Sequence, residues 1–171
     1  SMKKNCRNGL IGILLFFALS VFFTPVTTMA YTNTYTRDGA VIWACDRANE
    51  HWTPDLDGNG CWCVDLIFAY YQLLTGNIVW GNANDFIWNE LPSGWTRVYG
   101  DPAPGDIVVW DKRHGKYGHI AICTGEGTTK WFNSYDQNWI IKKMHLVKHD
   151  YKSGFAGVLR PKAQEKINGQ I

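Results

Sequence analysis

Beyond its first thirty residues the chain has no excess charge of either sign. It holds 17 basic and 15 acidic residues. Three of the basic ones, Lys3, Lys4 and Arg7, lie in the first thirty, which contain no acid, so the rest divides 14 to 15. A near-neutral body gives no electrostatic footprint for nucleic acid, whatever the overall pI of about 8.2 suggests. The chain also lacks an apolar run of full spanning length: residues 10–23 supply about 14 residues against the roughly 20 a transmembrane helix needs. Repeats, low-complexity tracts and a composition break that would mark a second folded domain are missing too. What remains is one domain rich in Trp, Tyr and Phe, with enough chain to build a core.

The apolar run follows the basic start and ends in Thr28-Met29-Ala30, with small residues three before and one before a cut. This is the three-part pattern of a secretory signal peptide over residues 1–30. An uncleaved anchor, tethering the product to a membrane, is the alternative. Residues 31–161 form the expected domain and 162–171 a polar tail. The expected location is secreted and extracellular.

Five cysteines are present, and Cys6 belongs to the leader. Even cysteine counts in exported chains suggest disulfides. A nucleophile must stay free, however, and of the other three Cys45 and Cys61 form the candidate bridge. Cys61 and Cys63 are too close in sequence to pair with each other.

The first half of the domain reads as helical. Residues 40–51 carry a weak helical pattern. Residues 63–75 place Leu66, Ile67, Tyr70 and Leu74 on one face, with Gly76 as C-cap. Residues 80–90 suggest a second short helix, and 91–105 a proline-containing loop. The period then falls to two. Residues 106–111, 119–124 and 129–135 read as strands, with a turn at Gly125-Glu126-Gly127, and 140–148 and 155–160 add two more. Helices first and strands later predict an α+β fold with an antiparallel sheet.

Cys63 opens the apolar helix, where about half a positive charge from the aligned peptide dipoles favours thiolate over thiol. Cys61, in the loop before it, is the competing thiol, but the dipole acts within the first turn. Of the five histidines, His119 alone lies in an apolar run, Gly-His-Ile-Ala-Ile; His114, His145 and His149 sit among lysines or arginines and read as solvent-facing. A cysteine with a histidine base is the chemistry of acyl transfer. The base needs an orienting group that fixes its tautomer. With the hairpin turning near Glu126-Gly127, His119 falls opposite Ser134, and Asp136 and Asn138 share that face. Asp136 is the expected orienter, Ser134 the fallback and Asn138 a second polar group. The backbone N–H of Cys63 is a candidate oxyanion donor.

Just upstream, Asp55-Leu56-Asp57-Gly58-Asn59-Gly60 reads D-x-D-x-N-G, the opening of an EF-hand calcium loop. Cys61 would offer its carbonyl at position seven. Position twelve is Leu66, so Asp65 is the expected substitute and a complete EF-hand is excluded. Among the aromatics, Trp62 flanks the nucleophile. Trp80, Trp88 and Trp95 are candidates for a groove, Trp110 for the core, and Trp139 for a pocket wall.

CVDLIFAYY, PAPGDIVVW, GHIAI and DQNW, in that order across residues 55–139, resemble the CHAP family of cysteine, histidine-dependent amidohydrolases and peptidases. The resemblance implies a papain-like fold and cleavage of bacterial peptidoglycan, at the muramoyl–alanine amide or within the stem peptide or cross-bridge. It puts the nucleophile on Cys63, the base on His119, the acidic partner (usually glutamate) on Asp136, and the following polar residue on Asn138. It also implies a structural Ca2+ held by Asp55, Asp57, Asn59, Cys61 and Asp65. A non-catalytic wall-binding module and a cysteine protease acting on proteins are the rival readings.

Overall fold

The structure, a computed structural model, describes residues 37–151 and 154–162. The expected leader, Cys6 and all of the expected tail after Lys162 lie outside the described residues. Two α-helices come first, α1 (Arg37–Asn49) and α2 (Cys63–Thr75), followed by a 3-10 helix (Ala83–Ile87). Six strands follow: β1 (Thr96–Val98), β2 (Ile107–Trp110), β3 (His119–Gly127), β4 (Trp131–Asp136), β5 (His145–Asp150) and β6 (Phe155–Arg160). They form one antiparallel sheet in the order β1-β6-β2-β3-β4-β5. The expected α+β architecture is therefore the one observed.

The period-two pattern sorts side chains onto two faces. Ile107, Val109, Ile120, Ile122 and Leu159 share one core with Ala40, Ala44, Leu66, Ile67 and Tyr70 of the helices. Val108, Trp110, Ala121, Cys123, Phe132 and Val158 form a second core on the opposite face. Both faces are buried, which is why these strands read as continuous apolar runs.

Helix α2 is buried almost all round, through Val64, Leu66, Ile67, Phe68, Tyr70 and Tyr71. Each of its larger apolar side chains contributes about 1.5–3 kcal/mol on burial, well above the tenths available from helix propensity. Packing, not propensity, holds this helix. It ends as expected at Gly76, whose φ of 77° fits the left-handed cap and whose N–H donates to the Gln72 carbonyl at 2.9 Å.

Four local expectations are corrected. The strand Thr96–Val98 lies within the stretch read as loop; its three residues are too few and too exposed to show a period. The 80–90 helix is only the five-residue 3-10 turn. The turn at Gly125-Glu126-Gly127 is instead part of β3, and the chain reverses one step later, where Thr128 N–H donates to the Trp131 carbonyl at 2.7 Å. Ser134 consequently pairs with Cys123, not His119. Finally, Cys61 is a free thiol, as are Cys63 and Cys123, so there is no Cys45–Cys61 bridge; the Cys61 sulfur points to the Thr53 carbonyl, 3.8 Å away.

Candidate active site

Cys63 is the first residue of α2, and Asp65 secures that start. One Asp65 carboxylate oxygen accepts the Trp62 N–H at 2.9 Å and the other accepts the Leu56 N–H at 2.7 Å. Gln137, just past β4, clamps the same segment: its side-chain amide donates to the Pro54 carbonyl at 2.8 Å and to the Trp62 carbonyl at 2.9 Å. Neighbouring residues thus fix where the Cys63 sulfur sits. The period-two pattern selects Asp136 and Asn138 on either side of Gln137 and so gives no signal for it.

His119 opens β3, buried at 4% exposure. The residue before it must be glycine. Gly118 has φ +74°, and a Cβ there would lie 2.2 Å from the Trp110 carbonyl oxygen. That close approach sets the entry to β3 and the height of the histidine.

Three side chains converge on Asp136. Its Oδ2 lies 2.7 Å from His119 Nε2 and 3.0 Å from His149 Nε2, and its Oδ1 accepts the Ser134 hydroxyl at 2.5 Å. An ionised carboxylate only accepts, so both imidazole Nε2 atoms carry protons. For His119 this puts a proton on Nε2 and leaves Nδ1 as the ring nitrogen not engaged by Asp136. Burial alone would lower the His119 pKa. The hydrogen bonds and charges of Asp136 and Cys63 outweigh it and raise the value to about 9. Burial would likewise raise Asp136, yet the two histidines hold its carboxyl well below the usual range. By contrast, burial pushes the Cys123 thiol up to about 12, an inert sulfur.

His149 is a correction. The alternation with lysines read as solvent-facing, but the residue is buried on β5, which pairs with β4 so that His149 stands opposite Phe132. The missing signal was the pairing itself, which places His149 on the same face as Phe132, Ser134 and Asp136. His114 is half-buried and stacks on Trp139, with ring centroids 4.6 Å apart and an interplanar angle of 15°. Trp139 also covers His119 at 4.8 Å and His149 at 4.5 Å. Trp110 is buried as expected, and lies 5.3 Å from the His119 ring. Asn138 has φ +58°, is half-buried, and makes no hydrogen bond to His119 or Asp136 among the described residues.

On the other side of Cys63, Asp55, Asp57 and Asp65 each place a carboxylate oxygen within 4.8 Å of the others. Among the described residues none of the three is paired with Lys or Arg. Burial raises the pKa of Asp65; the Leu56 and Trp62 N–H groups oppose that, and the charge of Asp57 adds to it. Converging hard oxygens short of positive charge fit a divalent cation such as Ca2+. Asn59 donates its N–H to Asp57 at 2.8 Å and gives its carbonyl to the Trp62 indole at 3.0 Å.

The aromatic groove divides. Trp62 is half exposed beside the nucleophile. Trp80 and Trp95 line a separate cavity of about 700 Å³ with Tyr70, Leu74 and Leu91, to which no member of the Cys63–His119–Asp136 group contributes. Trp88, at 80% exposure, is not among its lining residues.

Residues 55–138 match the family model described as the CHAP domain. Among solved structures, the crystal structure of a wild type endolysin, LysIME-EF1, is 26% identical with a TM-score of 0.66; the match covers 75% of this chain and 65% of that one. The crystal structure of Ly7917 is 17% identical with a TM-score of 0.61, covering 75% and 63%, and that likeness is one of fold. Each match spans just under two thirds of the neighbour's own length. No curated protein matches the sequence.

Proposed function

We infer, from the membership of residues 55–138 in the CHAP domain family, that the chain is a cysteine-dependent peptidoglycan hydrolase. One observation carries this reading. The buried Asp136 carboxylate, 2.7 Å from Nε2, orients the His119 ring, and the Cys63 side chain at the start of α2 is near enough to help raise the His119 pKa. The likeness to an endolysin structure supports the choice of substrate.

In the proposed reaction the raised His119 pKa keeps the thiol's proton on the imidazole, and the Cys63 thiolate attacks an amide carbonyl of the wall peptide. The Cys63 N–H, at the open end of α2, donates to the developing oxyanion. The imidazolium returns its proton to the departing amine as the C–N bond breaks. Water then hydrolyses the thioester, giving its proton to His119 and releasing the thiolate, which restores the thiolate–imidazolium pair. Asp136 supports the imidazolium throughout. The bond cut is the muramoyl–alanine amide or one within the stem peptide or cross-bridge. Mass analysis of fragments from digested peptidoglycan distinguishes these. Lysis of purified walls by the parent and none by folded Cys63→Ala or His119→Ala variants is the expected result. Undiminished lysis by either variant, or digestion of casein in place of walls, refutes the reading.

The same proposal includes a structural Ca2+ at Asp55, Asp57 and Asp65, with Asn59 and the Cys61 carbonyl as further ligands. The ion would neutralise the carboxylate cluster and stiffen the loop leading into Cys63. It also includes export through the leader, for which N-terminal sequencing of the native protein is the check.

A further inference from the structure

We propose that His149 is a positioning residue of this site: it shares Asp136 Oδ2 with His119, and so sets both the orientation of that carboxylate and how strongly it pulls on the catalytic imidazole. This inference rests on the hydrolase reading above for its role in turnover, but its effect on His119 is measurable without substrate.

The geometry is specific. His149 Nε2 lies 3.0 Å from the same oxygen that His119 Nε2 reaches at 2.7 Å. All three side chains are at least 95% buried. His149 is fixed by rings on several sides: Trp110 at 4.7 Å, Phe132 at 5.5 Å and Trp139 at 4.5 Å. An imidazole placed only to fill space would not need its N–H aimed at a carboxylate. Here the carboxylate has a full set of donors, Ser134 on one oxygen and two histidines on the other.

The chemical consequence follows from sharing. A donor bonded to a carboxylate draws electron density from it and weakens its hold on a second donor. His149 therefore moderates the Asp136–His119 bond. A base gripped too strongly as imidazolium takes the thiol proton readily but returns it to the leaving amine slowly, and the best catalytic acid–base has a pKa near the working pH. The titratable or charged groups around His149 are Asp136, His119 and His114, the last on the far side of Trp139. Its other ring contacts are aromatic and do not titrate.

Two substitutions separate donation from packing. His149→Phe keeps the ring and removes the N–H; His149→Gln keeps an N–H donor and removes the ring. The readouts are the His119 titration midpoint by nitrogen NMR of the imidazole, and kcat and KM for wall lysis. With His149→Phe the midpoint should rise from near 9 by roughly half a unit or more, and kcat should fall several-fold with KM unchanged. With His149→Gln both should stay close to the parent. An unmoved or lowered midpoint in folded His149→Phe, or a shifted midpoint in folded His149→Gln, overturns the proposal. Should His149→Phe fail to fold, His149→Met, which also lacks the N–H, takes its place with the same expected rise and the same contradicting result. Failure of the hydrolase reading looks different: the parent does not lyse walls, while the His119 midpoint still responds, or not, to residue 149.

Discussion

One carboxylate group holds His119 and another holds the loop that leads into Cys63, and they are built in opposite ways. Asp136 is fully buried, receives three side-chain hydrogen bonds and is held ionised by two imidazoles. The Asp55, Asp57 and Asp65 group combines one buried and two exposed acids, satisfied by backbone N–H groups and raised rather than lowered at its buried member. Burial works against the charged form of both Asp136 and Asp65; what differs is the charge each one meets, two imidazoles at Asp136 and the Asp57 carboxylate at Asp65. Asp136 meets it inside the protein and can fix a proton on His119. The loop group has no Lys or Arg partner among the described residues, and this is what supports the cation proposed for it.

The largest test of this contrast is removal of the reacting groups. Cys63→Ala should lower wall lysis by on the order of 10³-fold or more with the fold intact, as judged by lysis rate and circular dichroism. Asp136→Asn comes next. It leaves geometry but removes the charge, and should cost on the order of 10²–10⁴ in kcat. It should also bring the alkaline limb of the pH–rate profile down from near 9 towards the ordinary histidine range. The sign follows from linkage. A raised His119 pKa contributes stability that is fully present below about 6.5 and is lost as pH climbs through about 9. The parent should therefore lose melting temperature over that window, and Asp136→Asn should lose little further.

Gly118→Ala probes the scaffold shared by both sides. A Cβ overlapping the Trp110 carbonyl, at a positive φ, should cost about 2 kcal/mol or more, read by denaturant unfolding. The smallest expected effect belongs to the loop. Ca2+ at tenfold excess over Kd should raise the melting temperature by a few degrees, on the scale of about 1.4 kcal/mol. Asp55→Asn should abolish that rise, while Asp136→Asn should keep it. An identical response of the two variants would erase the distinction between the clusters.

Much of this arrangement was legible in the chain. Residues 63–75 and 155–160 coincide with α2 and β6, since an apolar run closed by Gly76 and a run closed by Arg160 carry clear boundaries. The β3–β4 register was misjudged by four residues, because glycines at 125 and 127 look like a turn but continue the strand through a bulge. An even slip leaves every side chain on its original face. Asp136 thus stayed in reach of His119, approached from the other diagonal: extending the Ile122–Tyr135 pairing puts His119 opposite Asn138, beyond the end of the ladder. What could not be read was pairing between distant strands. Nothing in a Lys148-His149-Asp150 tripeptide says that its middle member faces Phe132. Nor does Gln137 show that it reaches back across 75 residues to the Trp62 carbonyl.

The proposed chemistry needs one sulfur paired with one imidazole, and labelling by a small electrophile at neutral pH reads that pairing directly. Iodoacetamide treatment, mapped by mass to each cysteine, should modify Cys63 rapidly in the parent and at least about tenfold more slowly in His119→Ala, with buried Cys123 inert in both. Equal labelling of Cys63 in the two proteins would contradict the account.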